Sequence, residues 1–293
     1  MEFRSASNGF TLQNGVSSPC IAYGTWRMFN GPETYDAVRK AISLGYRHID
    51  TANRYNNEIS VGQAIRECGV PRKEIFVSSK LQNPYHGYDY CMQSFELSLQ
   101  LLGLSYIDQF LIHYPIPKGH NDDFAQMNLS TWRALEKLYD EGLVRSIGLS
   151  NFRVHHIEPL LAKANVKPCV NQIEYHPGYM QRDVVEYCKA QGIQIEAWSP
   201  FGGQSPKGSI FQIPLLMEIA GKYEKSVAQL VLRWILQRGI LPIPKAADPQ
   251  RAAQNLDIFN FIIQDTDMAK IDSLTVEECG WSGYDPDNLS FWF

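Results

Sequence analysis

Short apolar runs alternate with helix-like segments along almost the whole chain. Between these runs, apolar residues recur at helical spacing, as Val61, Ala64, Ile65 and Cys68 do. Eight runs are typical of buried strands: residues 21–26, 45–50, 75–81, 107–114, 144–149, 170–175, 193–198 and 241–245. Regular alternation of strand and helix indicates a parallel sheet, so we predict an α/β fold, a single (β/α)8 TIM barrel over residues 1–293.

Local signals add detail near both ends of the chain. An Asn-Gly pair at 14–15, between extended residues, predicts an N-terminal β-hairpin. Ser226 is placed to cap one late helix, and Asp248 followed by Pro249 is placed to start another. We therefore expect extra helices near the C-terminus.

Titratable side chains stand where three predicted strands end. Asp50, Lys80 and His113 occupy these positions, and Tyr55 follows Asp50 closely. Because barrel enzymes carry their sites at the carboxyl ends of the strands, we expect the four side chains to meet. A nearby ammonium should lower the pKa of a tyrosine below its usual value of roughly 10, and a neutral imidazole can donate to a carbonyl oxygen. This set suits proton donation to an oxygen that gains negative charge, as when a hydride reaches a carbonyl carbon.

Each of these residues also has a structural explanation when taken singly. Asp50 suits a helix cap, Lys80 a solvated strand end, and His113 a hydrogen-bonded core residue. Their coincidence at the ends of separate strands favours the functional interpretation.

Composition excludes several classes of function. The chain has 27 Lys and Arg against 31 Asp and Glu, so its net charge of −4 does not favour nucleic acid. The six cysteines contain no Cys-x-x-Cys pair, which speaks against a zinc site or a disulfide framework. The N-terminus lacks the apolar core of a signal peptide, and no run reaches the ~18 apolar residues of a membrane span. We expect a cytoplasmic protein without a metal.

Five longer motifs closely resemble the aldo-keto reductase family, and the resemblance extends from about residue 10 to residue 287. The motifs are GYRHIDTA at 45–52, SSKL at 78–81, LIHYP at 111–115, GLSNF at 148–152 and NQIEYHP at 171–177. The resemblance implies a (β/α)8 barrel that reduces carbonyl groups with NAD(P)H. It also implies that Tyr55 is the general acid, that Lys80 and Asp50 adjust the pKa of Tyr55, and that His113 orients the substrate carbonyl group.

The resemblance further implies a set of cofactor-binding residues. Ser150, Asn151 and Gln172 would hold the nicotinamide carboxamide, and Trp198 would stack on its ring where many members carry tyrosine. The loop 201–208 resembles the flap over the pyrophosphate. Residues expected near the cofactor on the same grounds are Gly24, Thr25, Trp26, Asp50, Ser199, Pro200, Phe201 and Gly202.

The adenosine end of the cofactor site departs from the family pattern. Lys245 and Arg251 flank the start of the helix at Asp248, where cations and free amides suit a 2′-phosphate. Ala246 lacks a hydroxyl that the family often aims at that phosphate. We therefore expect NADPH as the preferred cofactor, with NADH as a weaker or shared one. Gln254 and Asn255 would face the adenine.

The expected substrate pocket is lined by aromatic and polar residues. Its predicted members are Trp26, Tyr55, Asn83, His113 and Tyr114. Tyr114 and Gln82 replace common family tryptophans, and together with the segment 283–287 they suggest the microbial branch of diketogluconate and aldehyde reductases. The aromatic tail, with Phe291 and Trp292, either lines this pocket or seals the barrel.

Other functions stay open at this stage. A non-catalytic module of the same fold could bind the cofactor only to sense its redox state, and an NAD-linked dehydrogenase could run oxidatively. A phosphate-binding isomerase or aldolase barrel is disfavoured, because it would need no nicotinamide site. We expect a monomer that acts on a small carbonyl substrate.

Overall fold

A computed structural model of the chain describes residues 3–203 and 209–288. In this part of the chain, eight parallel strands form one sheet, and two strands form a separate antiparallel hairpin. The hairpin strands are β1 (Gly9–Thr11) and β2 (Ser17–Pro19). The sheet contains, in spatial as in chain order, β3 (Tyr23–Gly24), β4 (His48–Asp50), β5 (Phe76–Leu81), β6 (Ile107–Ile112), β7 (Val144–Ser150), β8 (Val170–Glu174), β9 (Gln194–Trp198) and β10 (Leu241–Pro242).

The first and last strands of the sheet close it into a barrel. The Ala22 and Gly24 amides donate to the carbonyl oxygens of Pro242 and Pro244, each at 3.0 Å. Gly24 permits this approach, because a Cβ at its position would lie only 3.1 Å from Ile243 Cγ2. The predicted (β/α)8 barrel is confirmed, with its N-terminal hairpin.

Helices follow the barrel strands and pack around them. They are α1 (Pro32–Leu44), α2 (Glu58–Glu67), α3 (Tyr88–Leu102), α4 (Phe124–Asp140), α5 (Val154–Leu161), α6 (Arg182–Gln191), α7 (Pro214–Lys222), α8 (Val227–Gln237), α9 (Pro249–Leu256), α10 (Asp265–Asp272) and α11 (Val276–Cys279). Ser226 and Asp248 cap α8 and α9 through their side chains, as expected. Within the described residues, no helix combines the length and the apolar character needed to cross a membrane.

Two differences from the predicted elements lie in the last third of the chain. The run 241–245 forms a regular strand only at Leu241–Pro242, because Pro242 and Pro244 have no N–H to donate to a ladder. Helix α7 was not predicted; it precedes α8, and its residues Leu216, Ile219 and Ala220 are buried.

The hairpin closes the end of the barrel where the strands begin. Leu12 packs there with Leu111 and Val170, and Asn14 Nδ2 donates to the Arg145 carbonyl oxygen at 2.9 Å. The opposite end, where the strands finish, stays open to a cleft.

Candidate active site

Asp50, Lys80 and Tyr55 meet at the end of the barrel where the strands finish. Lys80 Nζ donates to both oxygens of Asp50, at 2.7 and 2.8 Å, and to the Thr51 carbonyl oxygen at 3.0 Å. The same ammonium lies 3.3 Å from Tyr55 Oη. Lys80 is completely buried, so the Asp50 carboxylate is essential to keep its charge in the interior.

Tyr55 differs from the sequence-based expectation in the direction of its pKa shift. Burial, and secondly the Asp50 carboxylate, raise the pKa of Tyr55 well above its ordinary value of 10. Lys80 does not reverse this shift because its charge is matched by Asp50. Tyr55 therefore carries a proton at neutral pH and can act as a donor.

His113 faces Tyr55 and is held neutral. The two rings are 5.8 Å apart in an edge-on arrangement, and His113 also stacks on Tyr114 at 5.4 Å. Burial lowers the pKa of His113 well below 6.5, with the charges of Lys80 and Arg54 acting in the same direction. A neutral imidazole with one N–H can donate a hydrogen bond to an oxygen without competing with Tyr55 for the proton.

A cleft with a volume of about 210 Å³ opens above these residues and contains most of the predicted site. Its wall includes predicted catalytic, cofactor and substrate residues together. They are Gly24, Trp26, Asp50, Tyr55, His113, Tyr114, Ser150, Asn151, Gln172, Trp198, Ser199, Pro200, Phe201 and Lys245. A cleft that brings together apolar walls and a few convergent polar groups suits a small-molecule site.

Hydrogen bonds orient the amide side chains and the indole on the cleft wall. Asn151 Nδ2 donates to the His113 carbonyl oxygen at 2.9 Å and to Ser150 Oγ at 3.1 Å. Trp198 Nε1 donates to Asn151 Oδ1 at 2.8 Å, which fixes the indole plane beside the cleft. Gln172 Nε2 donates to Asp50 Oδ2 at 3.0 Å. Asn151 and Gln172 thus commit their N–H groups to the protein and leave oxygen lone pairs as acceptors.

Several predicted cofactor residues lie outside the wall of the cleft. Thr25 Oγ1 is buried and donates to the Asp50 carbonyl oxygen at 2.9 Å, and the Gly202 amide donates to the Ser199 carbonyl oxygen at 2.9 Å. Ala246 is buried, and its carbonyl oxygen accepts from Tyr23 at 2.5 Å. Arg251 and Gln254 are exposed on α9, whereas Asn255 is buried.

Asn83 lies in a small hollow beside the main cleft rather than on its wall. His113 and Tyr114 separate the two spaces, and Asn83 Nδ2 donates to the Ile116 carbonyl oxygen at 3.3 Å. Residues 204–208 of the predicted flap and the aromatic tail with Phe291 and Trp292 lie outside the described residues.

Tyr284 is a cleft residue that the sequence did not identify as one. It lines the cleft and approaches the Trp198 ring at 6.3 Å. Its segment is attached to the barrel by Arg153, which pairs with Asp285 at 3.0 Å and with Asp287, and by Ser282 Oγ, which donates to Glu174 at 2.6 Å. No local pattern reveals such long-range contacts, so only the fold places Tyr284 here.

Comparisons with known proteins agree with this geometry. The family model described as the aldo/keto reductase family matches residues 20–276. The chain is 46% identical to the glyoxal reductase of Bacillus subtilis, and the match covers 96% of both chains. It is also 46% identical to the 9,11-endoperoxide prostaglandin H2 reductase of Trypanosoma cruzi, again over 96% of each. The crystal structure of a Bombyx mori aldo-keto reductase in complex with NADP superposes with a TM-score of 0.81 at 39% identity, covering 90% of this chain and 91% of that one.

Proposed function

The chain belongs to the aldo/keto reductase family, and from this premise we propose that it uses NADPH to reduce small aldehydes, ketones or keto-sugars, with Tyr55 as the general acid. The observation that carries the proposal is the position of Lys80 Nζ, between the Asp50 carboxylate and Tyr55 Oη, beside the same cleft as His113.

Tyr55 supplies the proton in this reaction. Its raised pKa keeps the phenol protonated until the substrate oxygen gains negative charge. When the proton leaves Oη, the Lys80 ammonium 3.3 Å away stabilises the phenolate. Asp50 keeps that ammonium charged and aimed, because it binds Lys80 with both oxygens.

His113 orients the substrate oxygen. Its neutral ring lines the same cleft as Tyr55, so an N–H of His113 and the Tyr55 hydroxyl can both donate to one carbonyl oxygen placed between them. Because the pKa of His113 lies well below 6.5, the imidazole stays neutral over the physiological range.

The residues of the cleft fit a nicotinamide cofactor. A carboxamide NH2 needs acceptors, and because the N–H groups of Asn151 and Gln172 are bonded to the protein, their oxygens are the atoms left to accept from it. The indole of Trp198 offers a flat face at the cleft, and Lys245 offers a cation at its edge. When bound, the cofactor supplies the hydride that adds to the carbonyl carbon.

The 2′-phosphate of NADPH would be recognised by Lys245 and Arg251. Lys245 is exposed at the cleft, and Arg251 is exposed on α9. Ala246 contributes no hydroxyl, so the preference over NADH is expected to be weaker than a serine would produce.

Aromatic side chains form one side of the cleft, and this lining suits small substrates with a carbonyl group. Trp26 packs on Tyr55 at 4.8 Å, and Tyr114 and Tyr284 complete that side of the cleft. The similarity to a glyoxal reductase supports small aldehydes as the first substrates to test.

Replacing Tyr55 with Phe tests the proposal. Reduction of a small aldehyde should fall by at least about 10³-fold, because the proton donor is lost, while NADPH still binds. Fluorescence titration measures binding, and NADPH absorbance measures turnover. Full turnover in the variant would refute the role of Tyr55. A wild-type protein that binds NADPH but reduces no carbonyl compound would favour the redox-sensing module instead.

A further inference from the structure

Three hydrogen bonds in the barrel interior link Asp50, Gln172 and Gln109 to one buried acid, Glu196. Gln172 Nε2 on β8 donates both to Asp50 Oδ2 on β4, at 3.0 Å, and to Glu196 Oε2 on β9, at 2.9 Å. From the other side, Gln109 Nε2 on β6 donates to Glu196 Oε1 at 2.9 Å. Gln109 and Glu196 are completely buried, and Gln172 is 1% exposed.

This arrangement determines which end of the Gln172 amide faces the cleft. A glutamine NH2 group has two hydrogens, and both are directed at carboxylates here. If the Gln172 amide were turned end for end, its oxygen would lie against one oxygen of Asp50 and one of Glu196. The low dielectric of the interior would strengthen that repulsion. Because Gln172 lines the cleft and its NH2 group is held by Glu196 and Asp50, the amide oxygen is the end left to accept from a ligand.

We propose that Glu196 is a positioning residue of the active site, which acts through Gln172 to present the amide oxygen to the cofactor and to hold Asp50 in place. The inference rests on the proposed function, since it requires a cofactor carboxamide in the cleft. Glu196 does not itself line the cleft wall, so its effect is transmitted through Gln172.

The charge of Glu196 also couples it to the proton donor. The charged and polar groups that face it are Asp50 on β4, Lys80 on β5, Gln109 on β6 and Gln172 on β8. Burial raises the pKa of Glu196 to about 7, and Asp50 acts in the same direction, against the two amides and Lys80. Above that pH, a second carboxylate shares the single Lys80 ammonium and opposes the phenolate at Tyr55. Reduction should therefore slow as the pH rises through about 7.

Gln109 can serve both protonation forms of Glu196. Its Nε2 donates to the carboxylate, and its Oε1 is buried without a hydrogen-bond partner among the described residues. Turned end for end, the same amide would accept the hydrogen of a protonated Glu196, while Glu196 Oε2 still accepts from Gln172. The orientation of Gln172 is thus kept on both sides of the titration.

Two substitutions at Glu196 separate the geometric role from the charge. In Glu196→Gln, the new amide can accept from Gln172 and donate to a turned Gln109, so NADPH should bind within about twofold of wild type. Its kcat/KM profile, measured from about pH 5.5 to about pH 9, should lose the inflection near pH 7. In Glu196→Leu, Gln172 loses an acceptor, and the Kd for NADPH should rise about tenfold.

Gln109→Leu is the matched control in the same network. Glu196 keeps its bond from Gln172 but loses an amide that lowers its pKa, so the inflection should move to higher pH while NADPH still binds. Thermal unfolding of every variant shows whether folding is kept, and a purely structural role would change the Tm without moving the inflection.

The outcomes distinguish this inference from the proposed function. If wild type binds NADPH and Tyr55→Phe abolishes turnover, but both Glu196 variants match wild type in binding and pH profile, only the role of Glu196 is refuted. If Glu196→Leu does not fold, the loss or persistence of the inflection in Glu196→Gln still decides. If wild type does not bind NADPH, the proposed function itself fails.

Discussion

Asp50 binds the Lys80 ammonium with both carboxylate oxygens while that ammonium lies 3.3 Å from the Tyr55 hydroxyl. One buried cation therefore neutralises an acid that the interior could not otherwise hold, and it faces the oxygen that would become negative in the proposed reduction. Stability and catalysis are linked at this pair, but substitutions can separate them.

Lys80→Met should lower kcat by about 10²- to 10³-fold, because nothing then stabilises the Tyr55 phenolate. It should also destabilise the fold by about 3 kcal/mol, since Asp50 is left buried without a cation. The double substitution Lys80→Met with Asp50→Leu should regain most of the stability and none of the activity. Urea unfolding and steady-state turnover measure the two effects, and recovery of turnover in the double variant would contradict the role of Lys80.

Arg251→Gln should weaken NADPH binding about tenfold and leave NADH binding unchanged, because only NADPH carries a phosphate for the guanidinium. Ala246→Ser should have the opposite effect: it should strengthen NADPH binding and leave NADH binding unchanged. Fluorescence titration with both cofactors measures the discrimination. An equal loss for NADPH and NADH in Arg251→Gln would mean that the arginine does not contact the 2′-phosphate.

Asp287→Asn should loosen the segment that carries Tyr284 into the cleft. Asp287 pairs with Arg153, and its Oδ1 lies 2.9 Å from His155 Nε2. We expect a several-fold higher KM for the carbonyl substrate and faster amide exchange over residues 280–288. Glu141→Gln, which removes an exposed ion pair with Lys137, is the control. Unchanged exchange in Asp287→Asn would show that these pairs do not hold the segment.

Gly62→Ala should destabilise the protein by about 3 kcal/mol. A Cβ at Gly62 on α2 would lie 2.0 Å from the Leu102 carbonyl oxygen on α3, and backbone cannot move aside cheaply. Gly221→Ala on α7 is the matched control, because its Cβ would meet nothing within 4 Å. That change should stabilise the helix by roughly 0.5 kcal/mol. Equal effects on the Tm at both positions would contradict the tight packing of α2 on α3.

Stability should fall as the pH drops below about 6.5, because buried histidines must be protonated on unfolding. Burial lowers the pKa of His86 to about 3, so the unfolded chain binds a proton that the folded chain does not hold between these values. In His86→Leu, the free energy of unfolding should therefore fall less steeply as the pH drops, by about 1.4 kcal/mol per pH unit. Unfolding in urea at several pH values measures the slope. An unchanged slope in His86→Leu would show that His86 does not contribute.

The barrel and the convergence of the proposed catalytic side chains could be predicted from local signals in the sequence. Strand ends are local signals in the sequence. An apolar run that stops at Asp50, Lys80 or His113 predicts both a strand and the residue at its carboxyl end. Parallel strands bring those ends together whatever the details of packing, so the convergence of the four residues followed from topology alone.

The long-range contacts that affect these side chains could not be predicted from the sequence, because they form only in the folded barrel. The bonds from Gln172 to Asp50 and from Gln109 to Glu196 join strands on opposite sides of the barrel, and Tyr284 reaches the cleft from near the C-terminus. The pKa of Tyr55 is raised rather than lowered for the same reason: burial and the Asp50 charge are properties of the folded interior. Sequence spacing encodes neighbours along an element, whereas dielectric environment and contacts across a barrel exist only once the chain has closed.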